Sequence, residues 1–137
     1  MLRMAGRVAD IVSLNFDNRS GKLGGDGVHR STAEATSRKV EWVREGAGDR
    51  WGDVELEVGA YFTDVTSSSS SVVGELAARF DLPASDVRSH PHVLVGSVEA
   101  LCEELVRRRD RLGISFVTIP VASLHAFAPI VARLAGR

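Results

Sequence analysis

The chain is poor in the features that would tie it to a special environment. It has one cysteine, Cys102, so no internal disulfide can form, and a reducing cytoplasm is the expected location. It lacks an excess of either charge. Seventeen Lys and Arg against eighteen Asp and Glu leave a formal net charge of -1, which gives no bulk attraction to nucleic acid or an anionic membrane, and neither is expected as a partner. No apolar run approaches the roughly 18 residues a bilayer requires. The opening "MLRMAGRVADIV" has early positive charge but no apolar stretch of about 7 residues before a cleavage site, so no signal peptide is expected. Nucleotide-binding glycine motifs and a serine-nucleophile elbow are also missing.

What is present is ordinary for a soluble globular chain: 44% hydrophobic and 26% charged residues in 137, which points to a single domain over 1–137. Three apolar runs read as strands: "DIVSLN" (10–15), "VELEVGAYF" (54–62) and "ISFVTIP" (114–120). The first and third are nearly continuous in β-branched and large apolar residues, the pattern of parallel strands. The second is broken by Glu55 and Glu57, read as polar residues near a strand entrance.

Helices fill the intervals. Residues 2–9 resemble the end of a helix feeding the first strand. Ser31 with Glu34 fits a capping box, ahead of a helix with Thr36, Val40, Val43 and Ala47 on one face, stopping near Gly46 or Gly48. A shorter helix is expected over 72–80 and a brief irregular or helical piece over 84–92. A clear helix runs from the Ser97 cap to Gly113, with Val98, Leu101, Cys102, Leu105 and Leu112 as its apolar stripe. A last helix is expected over 123–134. The order strand, helix, strand, helices, strand, helix predicts an α/β fold with right-handed crossovers and a parallel sheet.

The segments "AGRVADIVSLN", "VELEVGAYF", "HPHVLVGSVEALCEELVRRRDRLGISFVTIP" and "AFAPIVARLAG" together resemble the C-terminal part of the luciferase-like monooxygenases, in their deazaflavin-dependent (F420) branch. The resemblance covers nearly the whole chain and is strongest over 95–120. It implies a partial TIM (β/α)8 barrel, about strands six to eight with their helices. It also implies an oxidoreductase lineage using F420, or alternatively FMN, on a small-molecule substrate. The family's catalytic residues on its first four strands, and its glycine-rich turn after strand five, have no counterpart here, so no catalytic residue is assigned to this chain. Three parallel strands alone would leave one sheet face and two edges uncovered. The expected partner is a second copy (a homo-oligomer) or a complementary N-terminal barrel half. The alternative is a non-catalytic truncated barrel acting as a dimerisation or interaction module.

Candidate site residues cluster in the loop after the first strand, "SLNFDNRSGKLGGDGVHRST" (13–32). Asn15, Arg19, Lys22, His29 and Arg30 are the rim candidates for cofactor or substrate, because Lys and Arg can neutralise phosphate or carboxylate and glycine lets a ligand approach the backbone. A solvated loop is the competing reading. "TDVTSSSSS" (63–71) is expected to be a serine-rich loop leading to a helix start. His90 and His92 alone do not complete a zinc site, which needs three or four ligands, and the resemblance implies that their turn is structural. Cys102 reads as an inert thiol on an apolar helix face. "RRRDR" (107–111) reads as a solvated helix face.

Overall fold

A computed structural model describes all residues except Ser20, Lys22, Gly24 and Arg137. The chain runs α1 (Leu2–Val8), β1 (Ile11–Ser13), α2 (Asp26–Arg30), α3 (Ala33–Ala47), a 3-10 turn (Gly48–Asp53), β2 (Glu55–Gly59) and β3 (Phe62–Val65). It continues with α4 (Ser69–Phe80), α5 (Ala84–Ser89), β4 (Val93–Gly96), α6 (Val98–Leu112), β5 (Ile114–Thr118), a short 3-10 turn and α7 (Leu124–Leu134). The fold is α/β, as expected, with every described strand pair parallel.

The three strands read from the sequence form one sheet in the order β1-β2-β5. Val12, Leu14, Leu56, Val58 and Ile114 project from one side of it and are buried against Val40 and Val43 of α3, with Leu2 and Ala5 of α1 packed on the margin. That helix pair crosses at very short range. A Cβ on Gly6 would collide with the Val43 carbonyl, and one on Gly46 with the Arg3 carbonyl. Farther along, Leu101 of α6 and Phe127 and Ile130 of α7 bury a second cluster with Ala60 and Leu94, and Val117 of β5 contributes to both clusters.

Among the described residues, the opposite face of this sheet contributes no side chain to a buried hydrophobic cluster. Ile11 and Phe116 are exposed on it, at 51% and 41%. A bulge in β5 decides which residues point there. Leu56 pairs with Ile114 but Glu57 pairs with Phe116, so Ser115 is an extra residue. That insertion reverses the alternation, sending Phe116 and Thr118 to the open face while Val117 joins the core.

Several local expectations are corrected. Thr32, one residue later than expected, caps α3 by accepting a hydrogen bond from Ala35 N–H. Ser31 is instead fully buried and accepts from Asp17 N–H, tying the long loop down. The loop itself contains a helical turn, α2. The run over 54–62 is two strands. The chain leaves β5 at Ala60, whose N–H bonds to the Thr118 carbonyl, and Tyr61 and Phe62 then donate to the His92 carbonyl. From there β3 pairs with β4 in a second, two-stranded sheet. Part of the expected 63–71 loop is therefore strand, and α4 begins at Ser69 rather than 72. β4, "VLVG", is a strand the sequence reading passed over, because four residues next to a proline-containing turn carry little periodicity. The Ser97 cap does hold, accepting from Ala100 N–H, and Gly113 ends α6 in a left-handed conformation (φ +74°).

Candidate functional site

The open sheet face carries a polar cluster built from one residue of each strand. Glu57 lies on the central strand, only 9% exposed. Its carboxylate takes the Thr118 hydroxyl at 2.7 Å on one oxygen and the Ser13 hydroxyl on the other. Parallel register explains the grouping: Ser13 is paired with Glu57, and Gly59 with Thr118, so all three side chains project from the same side. A carboxylate that takes two hydroxyl donors is held in place as an acceptor, with lone pairs left for a further N–H or O–H.

The first rim candidate joins this cluster. Asn15 is exposed, follows Ser13 by two residues, and sets its amide oxygen 3.0 Å from the Ser13 hydroxyl. Its backbone carbonyl accepts from the Lys39 ammonium at 2.6 Å. Burial of that ammonium lowers the Lys39 pKa from its ordinary value, and the nearby Asp17 opposes the shift.

The other rim candidates are arranged differently. Arg30 lies 3.3 Å from the Asp17 carboxylate and 3.8 Å from Asp26, and Arg19 lies 3.5 Å from the same Asp17. Asp17 also accepts from the Arg19 backbone N–H, folding the loop around itself. The two guanidiniums are thus matched by two carboxylates. His29 is exposed on α2. Lys22 lies outside the described residues.

At the end of β2 the cluster meets an aromatic group. The Tyr61 ring lies over Gly59 and stacks on His92, with centroids 5.5 Å apart and planes 23° apart. Phe16 meets both rings edge-on. His92 and His90 are buried, and their hydrogen bonds define their tautomers. His92 Nδ1–H donates to the Gly59 carbonyl at 2.7 Å. His90 Nδ1 accepts from His92 N–H, which leaves His90 Nε2–H to donate to the Val28 carbonyl. Burial lowers both pKa values, that of His92 to about 4, so both rings are neutral. The turn ties α2, β2 and β4 together. Among the described residues no group of three or more His, Cys, Asp or Glu is placed to hold a metal ion.

Arg108 corrects the solvated reading of 107–111. It is 7% exposed and donates to the carbonyls of Pro91 (2.6 Å), Val93 (2.9 Å) and His90 (3.2 Å), and to Glu104 (2.7 Å). Burial lowers its pKa and Glu104 opposes that shift. Its neighbours Arg107, Arg109 and Arg111 are exposed. Cys102 is half-buried beside the second core cluster.

The sequence reading missed Glu57, Tyr61 and Thr118 as site residues. One signal was available: a glutamate in the middle of an apolar run is costly unless something binds to it. No family model matches the chain, and no curated protein matches it. No helix among the described residues is long and apolar enough to cross a membrane.

Proposed function

We propose that this chain forms the strand-six-to-eight portion of a (β/α)8 barrel of the luciferase-like, F420- or flavin-dependent oxidoreductase type, and supplies one wall of its cofactor and substrate pocket. The observation that carries this reading is the Ser13–Glu57–Thr118 cluster, spread across three neighbouring parallel strands on the face opposite the α3 core. A doubly wound sheet would cover that face with helices, whereas a barrel turns it inward and places its chemistry at the strands' C-terminal ends. A barrel would account for polar side chains gathering where a core would otherwise be expected.

The residues fit the ring of such a cofactor better than its tail. Glu57 offers an acceptor and Asn15 an amide, which together suit the N–H and carbonyl edge of a flavin or deazaflavin ring, and Tyr61 offers an aromatic face beside them. Arg19 and Arg30 are occupied by Asp17 and Asp26, so these two arginines offer little to a phosphate tail. When bound, F420 or FMN supplies the hydride or oxygen chemistry, and this chain's residues position and orient it. The wall would be completed by a complementary N-terminal barrel half or by a second copy.

A second reading, a non-catalytic module that dimerises through the open face, is favoured by the exposure of Ile11, Phe116 and Tyr61 there. Fluorescence titration with F420 and with FMN separates the two. Saturable binding that Glu57→Ala weakens by about tenfold supports the cofactor wall. Absence of binding, together with concentration-dependent self-association, supports the dimerisation module.

A further inference from the structure

On the helical side of the molecule, α3, α5, β4 and α6 enclose a cleft of about 400 Å³ that shares no residue with the open-face cluster. Its lining is unbalanced in charge. Four guanidiniums enter it, from Arg88 on α5 and from Arg107, Arg108 and Arg111 on α6, against a single carboxylate, Glu104. That carboxylate is fully used: one oxygen takes Arg108 at 2.7 Å and the other takes Arg107. Arg108 is itself spent on three backbone carbonyls and forms the floor.

Arg88 and Arg111 are therefore the cations with capacity to spare. Arg88 reaches only the Ser70 hydroxyl, at 3.3 Å, and Arg111 pairs with no carboxylate among the described residues. Ser85 and Ser89 line the same space with their hydroxyls donated to the Asp86 carboxylate and carbonyl, and Pro91, Val93 and Leu94 give it an apolar wall. Planar guanidinium forks match the oxygens of a phosphate, which they bind bidentately. The volume exceeds what an inorganic anion fills and suits a small organic molecule, whose body would lie against the apolar wall.

We propose that this cleft binds a small organic phosphate monoester, with Arg88 and Arg111 as its phosphate ligands. The site is independent of the cofactor reading. The dianion offsets the charges of Arg88 and Arg111, and the carbon skeleton lies against the wall formed by Pro91, Val93 and Leu94.

Isothermal titration of the full chain with ribose 5-phosphate, ribose and inorganic phosphate tests it. Ribose 5-phosphate is expected to bind saturably, inorganic phosphate more weakly, and ribose not at all. The double variant R88Q/R111Q should weaken ribose 5-phosphate binding by more than about tenfold. Both positions are exposed, and circular dichroism verifies that the variant keeps its fold. Glu57→Gln is expected to leave this binding unchanged, which separates the cleft from the open sheet face. No saturable binding at millimolar concentration overturns the proposal, as does unchanged affinity in the double variant. Binding confined to phosphopeptides would also overturn it.

Discussion

The guanidinium of Arg108 donates to the Pro91 carbonyl at 2.6 Å, from the interior of a helix to the centre of the His-Pro-His turn. The same group caps the Val93 carbonyl and adds a second donor to the His90 carbonyl, which already accepts from Val93 N–H. Arg108→Leu is expected to destabilise the chain by about 2–5 kcal/mol, because it removes the guanidinium from the Pro91 and Val93 carbonyls and leaves Glu104 with Arg107 alone. Urea denaturation measures this. A loss below about 1 kcal/mol would mean that water replaces the guanidinium.

Acid should unfold the protein through the histidine pair. Both rings are neutral when folded and become protonated more readily when unfolded, so the unfolded state binds more protons as the pH falls below about 6.5. The stability they contribute is present above that pH and is lost as the pH falls toward about 4, the folded value for His92. For His92 alone the loss is on the order of 3 kcal/mol. His92→Asn can keep a donor on the Gly59 carbonyl while removing the titration. Its unfolding midpoint is expected to vary less between pH 7 and pH 4 than that of the wild type, and an equally steep decline would assign the acid sensitivity elsewhere.

Glycine at the α1–α3 crossing is a packing requirement. Gly6→Ala and Gly46→Ala each drive a methyl into a backbone carbonyl of the facing helix, and each is expected to cost about 1–3 kcal/mol. Gly52→Ala, where nothing lies within 4 Å of the added carbon, should change stability by less than about 0.5 kcal/mol. Thermal unfolding of the three variants side by side would refute this if all three lost stability equally.

Phe116 is the large aromatic side chain that the β5 bulge turns outward. If the open face is covered by another chain, Phe116→Glu places a charge in that contact. Light scattering of the wild type is expected to show mass rising with concentration, and the variant is expected to remain monomeric. A wild type that stays monomeric at all concentrations would remove the case for self-association.

Much of the frame was legible from local pattern. Continuous β-branched runs marked β1 and β5, and the Ser97 cap and Gly113 stop bounded α6, because these signals are set by residues adjacent in the chain. The site was less legible. Asn15 was named as a rim candidate, and its amide oxygen lies 3.0 Å from the Ser13 hydroxyl. Arg19 and Arg30 were identified for their charge, but Asp17, close to them in space, takes both. The Arg108 side chain looks like its neighbours in sequence. Its burial depends on where the turn before β4 docks, and helical periodicity alone does not encode that.

The sequence by itself determined an α/β chain of parallel strands with amphipathic helices between them, since hydrophobic period and caps act over a few residues. Only the tertiary structure decided which strand residues face the open side. One extra residue in β5 reverses the alternation after Ile114. Strand pairing across sixty residues of chain then brings Glu57 to Thr118, and neither stretch specifies that contact alone.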